Sequence, residues 1–346
     1  MYENPAGSNE SPRDRPRRHT SAPLGVLFAL VVAAAGSVGA ISAFEQSTGD
    51  IAKIEDFDVA ELAPVDGPAV NYLLIGSDSR EGTDPDAPDA AVVGDVSGRR
   101  SDTIIILRQE KDGDGAALLS LNRDLWVTHA DTGRQQRINA AYNRGADVLA
   151  ATITAEYGIP INHVVDIDFV GFQSLVNAIG GVTICFDFET RDIGSGLAQP
   201  AGCNRLDGTQ ALAYARGRKY EELRDGDWRQ DPTADIGRVL RQQNFLRVAV
   251  DEALNKLKDD PSVVRGLLDS ASESLLLDPN LDPISAAGTL KKAFGSGLTT
   301  YTLQSEGATI DGNSVLLALD TPENTAVLDY FRGNGALPAP PTTVPG

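Results

Sequence analysis

The stretch HVVDIDFVGFQSLVNAIGGVTICF, residues 163–186, decides the fold class. It opens with a strand pattern at 163–167. It then passes into an apolar helical segment at 170–179, closed by Gly180 and Gly181, and returns to a strand pattern at 182–186. Alternation of this kind predicts an α/β protein, and the flanking sequence extends it. Upstream, VNYLLI (70–75) reads as a buried strand and TIIIL (103–107), rich in β-branched residues, as a second. KDGDG (111–115) is a turn signal that makes 116–121 the partner strand of a hairpin. Residues 139–157 read as one helix, and Ile236, Val239, Leu240, Leu246, Val250, Leu254 and Leu257 recur at helical steps along 235–257. The expected architecture is one three-layer α/β/α sandwich around a mixed sheet, over residues 69–335.

What precedes this domain has three compositions. Residues 1–22 carry Arg13, Arg15, Arg17 and Arg18 among Pro, Asn and Ser and are expected to be a disordered cytoplasmic tail. Within 23–44, LGVLFALVVAAAGSVGAISAF (24–44) has no ionisable side chain and matches the roughly 20 residues of a transmembrane helix. The arginines before it place that end in the cytoplasm and the domain outside, at the plasma membrane. The competing reading is a cleaved signal peptide, whose apolar region is shorter, about 7–15 residues. Residues 45–68 are expected to be an extracytoplasmic linker, and the Pro-rich 336–346 a disordered tail.

The formal net charge of −19 excludes the basic footprint of a nucleic-acid binder. Cys185 and Cys203, beyond the apolar segment, are expected to form a disulfide; two separate buried thiols are the alternative. The three histidines are scattered, and neither a GxSxG elbow nor a Walker A loop is present.

Arg and Asp instead gather at predicted element ends, where α/β sheets build their sites. GSDSR (76–80) closes the first strand, RSDT (100–103) opens the second and NRD (122–124) closes the third. Asp78, Asp102 and Arg123 could thus share one sheet edge; the bland reading is three surface ion pairs. ALAYARGR (211–218) reads as a helix ending at Gly217, flanked by Arg216 and Arg218, where dipole complementation alone would explain Arg216. In DIGRVLRQQ (235–243), Arg238 lies in a first helical turn, unfavourable for a cation unless an anion binds there, and Arg238, Arg241 and Gln242 share one face. Several arginines with two or three aspartates suit a pyrophosphate and a divalent metal, Mg²⁺ or Mn²⁺.

In order, GSDSR, RSDT, NRD, INAAYNRG, GGV, LDGTQALAYARGR and GRVLRQQ resemble the LytR-CpsA-Psr family over roughly residues 69–257. The resemblance implies a metal-assisted glycopolymer phosphotransferase. It would move a glycan phosphate from a polyprenyl-pyrophosphate carrier to the C6 hydroxyl of N-acetylmuramic acid in peptidoglycan, with pyrophosphatase activity when water replaces the hydroxyl. It implies that Asp78 and Asp102 serve the metal and that Arg100, Arg123, Arg216, Arg218, Arg238 and Gln242 hold the pyrophosphate, with Arg241 beside them. Catalysis would centre on Asp102, Arg123 and Arg238. The usual PRD is NRD here, which predicts a looser turn at Asn122. Val170, Phe172, Leu175, Val176 and Ile179 could line the family's lipid tunnel or be ordinary core. Residues 81–95 and 220–231 are insertions. The alternative function is a non-enzymatic envelope protein that binds lipid-linked polymer and regulates wall assembly.

Overall fold

A computed structural model describes residues 51–77, 101–111, 116–217, 219–231, 275–282 and 298–339, with scattered positions of a helix between 237 and 256. The apolar segment 24–44 and the 112–115 turn lie outside the described residues. No described helix is long and apolar enough to cross a membrane.

The main sheet is built first from β1 (Ala69–Ser77), β2 (Ser101–Glu110) and β3 (Ala116–Leu121). A small hairpin follows, β4 (Trp126–Thr128) with β5 (Gln135–Arg137), and then helices α1 (Asn139–Tyr142) and α2 (Ala146–Tyr157). Strand β6 (His163–Asp168) runs into α3 (Phe169–Ala178). Next come β7 (Val182–Phe186), β8 (Thr190–Asp192), β9 (Leu197–Gln199), β10 (Gly202–Leu206) and α4 (Gly208–Arg216). The chain continues through β11 (Glu221–Arg224), β12 (Asp227–Gln230), β13 (Leu275–Leu277), β14 (Leu298–Thr302), a β15–β16 hairpin (Ser305–Ile310 and Asn313–Ala318) and α5 (Pro322–Arg332).

The six-stranded sheet has the order β13-β6-β1-β2-β3-β14. β1 is parallel to β6 and β14 to β3, while the other pairs are antiparallel, so the sheet is mixed. Apolar runs without a polar face fit strands covered on both sides. Tyr72, Leu74, Ile105 and Leu107 pack into one cluster with Phe172 and Leu175 of α3, Ala211 and Ala215 of α4, and Phe245 and Ala249. Leu73, Ile75, Ile104 and Ile106 pack into a second with Leu149 and Ile153 of α2 and Phe331 of α5. Three layers result, as the sequence leads one to expect.

Four expectations change. Residues 139–157 form two helices, because Gly145 takes φ 154°, a conformation only glycine adopts readily, and breaks the run. β7 leaves the main sheet and, among the described residues, pairs with β10 alone. Its buried Val182, Ile184 and Phe186 alternate with a half-buried Thr183 and an exposed Cys185, the pattern of a strand covered on one face. From Ile51 onward the expected linker is packed on the domain: Ile51 is buried, Lys53 bridges to Leu277, and Ala63 N donates to Ile161 O. The tail also touches the fold, since the Tyr301 hydroxyl donates to the Pro338 carbonyl at 2.6 Å.

Candidate functional site

The register of the sheet collects the first three Arg/Asp motifs at one edge. The end of β1, Ser77, faces Ser101 at the start of β2 on one side and Asp168 at the end of β6 on the other. The end of β3, Leu121, faces Ile104 of β2. Gly76 pairs with Thr103 but Ser77 pairs with Ser101, so Asp102 is the extra residue of a β-bulge. Bulges of this kind re-aim side chains beside functional sites. Asp78 and Arg100 lie outside the described residues, immediately after Ser77 and before Ser101 in the chain, and the side chain of Asp102 is also outside them.

Arg123 follows β3 in a tied turn. Asn122 Oδ1 accepts from Asp124 N at 3.1 Å, closing an Asx turn over Arg123, so Asn in the Pro position fastens the turn rather than loosening it. Further fixation comes from Asn139 N, which donates to Arg123 O at 3.2 Å, and from Leu316 N, which donates to Asp124 O at 2.9 Å. Asp124 Oδ1 lies 3.7 Å from Nε of both Arg123 and Arg137. The Arg123 side chain is 11% exposed, which raises the strength of any charge interaction it makes.

Arg216 arrives from the other direction. It ends α4, whose start is set by a reciprocal capping box between Asp207 and Gln210. Its guanidinium lies 4.5 Å over the ring of Phe169, the first residue of α3. Since Asp168 faces Ser77, this contact delivers Arg216 to the same sheet edge. Asp168 caps α3 by accepting from Gly171 N at 2.7 Å. Burial pushes its carboxyl up, against the Gly171 and Val170 N–H groups that hold it down. From β6 to β3 the edge covers three strand spacings, about 14 Å. Arg123 and Arg216 thus stand on either side of the ends of β1 and β2.

The helix carrying GRVLRQQ gives a different result. Arg238 and Gln242 lie outside the described residues, as does Arg218. Arg241, expected on an exposed face, is only 8% exposed and shares the buried row of Phe245 and Ala249. Its charge is met internally: Nη1 pairs with Asp231 Oδ2 at 2.7 Å, Nη2 donates to Gly217 O at 3.2 Å, and the guanidinium stacks 4.1 Å over Tyr220. Phe172, Leu175, Val176 and Ile179 are core residues at 0–1% exposure, whereas Val170 is 41% exposed. A cavity of about 750 Å³ opens at the opposite end of β1, against Val70 and Tyr72.

The disulfide forms as expected, Cys185 with Cys203, across directly paired positions of β7 and β10. The 220–231 insertion is a hairpin, β11 with β12, that joins β8 and β9 in a four-stranded sheet. Three contributors escape a reading of the sequence: Phe169, Arg137 and Asp192. Only Asp168, as a helix N-cap preceding an aromatic residue, marks the first of them locally.

As for a metal, no three described His, Cys, Asp or Glu residues form a metal-ligating group. A magnesium ion needs only one or two carboxylates and keeps several waters. Ser101 Oγ and Thr103 Oγ1, on either side of Asp102, are buried without a hydrogen-bond partner. An oxygen-rich strand end next to Asp102 and to the Asp78 position fits a hard divalent cation.

A family model, the LytR_cpsA_psr family, matches residues 38–330. The cell wall biosynthesis protein LcpA of Corynebacterium glutamicum is 27% identical over 342 residues, covering 89% of this chain and 62% of the relative. An Enterococcus faecalis protein named polyisoprenyl-teichoic acid–peptidoglycan teichoic acid transferase TagU is 33% identical over 206 residues, covering 58% of this chain and 64% of the relative. The chain therefore spans less than two thirds of the length of either relative. The LytR-Csp2A-Psr enzyme from Actinomyces oris, 23% identical, shares the fold with a TM-score of 0.61 over 81% of this chain and 96% of that one. Matched by the family model from residue 38 to residue 330, the chain belongs to the LytR-CpsA-Psr family.

Proposed function

We propose that the chain transfers a glycan phosphate from a polyprenyl-pyrophosphate carrier to the C6 hydroxyl of N-acetylmuramic acid in peptidoglycan. It would work outside the plasma membrane, held there by residues 24–44. The observation that carries the reading is the sheet edge on which the Asp102 bulge lies between Arg123 and Arg216. The names of the relatives support it, one being a teichoic acid transferase acting between a polyisoprenyl-linked polymer and peptidoglycan.

In the proposed reaction the sugar hydroxyl oxygen bonds to the glycan-side phosphorus, the bridging P–O bond breaks, and the lipid leaves as its monophosphate. The hydroxyl proton is released, and a phosphodiester remains on the wall. Arg123 and Arg216 hold the phosphate oxygens from the two sides of the edge, where fixed, partly buried donors stabilise charge that grows in the transition state. Arg100, Arg218, Arg238 and Gln242 join them on the strength of the motifs. Mg²⁺ or Mn²⁺, held by Asp78 and Asp102, would neutralise pyrophosphate charge when bound. With water in place of the sugar hydroxyl, the same site is a pyrophosphatase.

The test incubates the purified full chain with polyprenyl-pyrophosphate-linked teichoic acid or arabinogalactan precursor and peptidoglycan oligomers, with Mg²⁺ or EDTA. A phosphodiester-linked product that disappears with EDTA, and in Asp102→Ala, is expected. Transfer that is unaffected by Asp102→Ala would remove the reading, and so would the lack of product from both donors.

A further inference from the structure

We propose that Asp192 and Arg241 are positioning residues that clamp the Gly217 turn from two sides and thereby aim Arg216 at the pyrophosphate. The proposal rests on the reading of Arg216 as a phosphate ligand.

Asp192, at the end of β8, is fully buried. A carboxylate withdrawn from water is costly unless hydrogen bonds replace its hydration. Oδ1 accepts from Gly194 N at 2.8 Å and Ser195 N at 3.0 Å, which folds the turn after β8 around it. Oδ2 reaches across 27 residues of sequence to accept from Lys219 N at 2.5 Å. It also abuts Gly217, where an added Cβ would come within 3.0 Å of it. Asp192 thus fixes the chain at Lys219 and packs tightly against Gly217, where a Cβ would have to push it back by a few tenths of an ångström.

Arg241 holds the same turn from the helix. Its Nη2 donates to Gly217 O, while Asp231 and the Tyr220 ring fix the guanidinium itself. Asp231 N in turn donates to Tyr220 O at 2.8 Å, so both supports belong to the chain that follows the turn. Both Nη atoms are committed to this support, while Nε is buried without a hydrogen-bond partner. Lys219 N is therefore held by a buried carboxylate and Gly217 O by a buried guanidinium. Arg216 immediately precedes Gly217, and its guanidinium lies over the Phe169 ring.

The experiment titrates the full chain in detergent with farnesyl pyrophosphate and follows deuterium exchange of the peptide containing Lys219 and Tyr220. Asp192→Asn puts an amide N–H against backbone donors, and Arg241→Lys cannot span Asp231 and Gly217 O together. Each variant should weaken binding about tenfold, the scale of a lost hydrogen bond to a charged group, and should speed exchange of that peptide. Because both act through one turn, the double variant should bind about as weakly as the weaker single one. Independent, multiplying losses would overturn the clamp. So would loss in Arg241→Lys with Asp192→Asn binding normally, the pattern of a direct phosphate ligand. Should Asp192→Asn fail to fold, Arg241→Lys decides alone: weakened binding without faster exchange at Lys219 rejects the clamp. Arg216→Ala separates the two levels of the argument. If it binds farnesyl pyrophosphate as well as the wild type does, the reading of the site is wrong. If Arg216→Ala alone weakens binding, the site stands and the clamp falls.

Discussion

The Arg216 guanidinium rests 4.5 Å above the ring of Phe169, and this contact joins the end of one helix to the start of another at the carboxyl end of β6. Arginine at a helix C-terminus needs no ligand to be favourable. The stack on Phe169 goes beyond dipole complementation, because it fixes a direction. Phe169→Leu keeps an apolar side chain and removes the π-face. Given about 0.5–2 kcal/mol for a cation–π contact, farnesyl pyrophosphate affinity should fall roughly twofold to thirtyfold. As a large-to-small change at a buried position it should also cost about 1–2 kcal/mol in stability. Titration and thermal melts on the same preparation separate the two effects. Unchanged affinity would mean that Arg216 does not depend on the ring.

Gly208 opens α4 where the helix crosses α3. A Cβ there would come 2.3 Å from the carbonyl oxygen of Gln173 and 2.6 Å from its Cα, both backbone atoms that cannot swing aside. Asn177 Oδ1 accepts from Gly208 N at 2.8 Å, a second tie between the helices. Gly208→Ala should therefore force α4 away from α3, destabilise the domain by about 1–3 kcal/mol, and carry Arg216 off its ring. Both the melting temperature and the affinity for farnesyl pyrophosphate should drop. Loss of stability with full affinity would show that Arg216 is placed independently of the helix start.

The disulfide closes a segment of 18 positions and joins paired strands β7 and β10. On the chain-entropy model it contributes about 3 kcal/mol. Replacing both Cys185 and Cys203 by serine should lower the melting temperature by several degrees. Binding per folded molecule should change less than about twofold, because α4 has its own capping box and its own contact with α3. A tenfold fall in affinity with the protein still folded would make the ribbon part of the site.

Much of this arrangement is legible in the sequence, and the limits of that legibility are physical. β1, β2 and β3 have predominantly apolar centres because helices cover both faces, so composition marks them. The end of α4 follows from local chemistry at Gly217, whereas its start at Gly208, set by Asp207 with Gln210, lies three residues before the 211 expected from the sequence. The convergence of Asp102 and Arg123 follows once the hairpin is placed beside β1, although the bulge that singles out Asp102 is a matter of register. What local pattern does not carry is pairing between distant segments. Arg241 looks exposed by helical periodicity, and only Asp231, Tyr220 and Gly217 O explain its burial. Asp192 has no motif, since its partner Lys219 lies 27 residues away. The β7 strand has the right pattern but the wrong sheet, because alternation records which face is covered and not by what.

Acid stability depends on His129, a fully buried side chain in contact with the Arg137 carbonyl. Arg144 Nη2 lies 2.5 Å from His129 Nδ1, and an arginine can only donate, so Nδ1 accepts. The proton of the neutral ring is then on Nε2, which donates to Arg137 O at 3.0 Å. Arg137 is the residue whose guanidinium also faces Asp124, next to Arg123. Protonating Nδ1 would set a donor against a donor and a cation against a cation. Burial, foremost, and the Arg144 charge push the His129 pKa below its usual 6.5, although the Arg137 carbonyl and Asp131 oppose them. In the interval between that lowered value and 6.5, the unfolded chain binds more protons than the folded one, so stability rises with pH. The contribution is complete above about pH 6.5 and is lost as pH falls through the folded pKa. Asp131, held down mainly by its Arg144 hydrogen bond, adds a loss of the same sign further into acid, in the carboxylate range. His129→Gln can accept from Arg144 and donate to Arg137 without titrating. Its melting temperature should be less sensitive to pH between 6.5 and 5 than that of the wild type, while the two respond alike below the histidine range. Parallel curves from pH 7 to pH 5 would mean that the ring carries its second proton in the folded protein, and that the Arg144 contact does not set its tautomer.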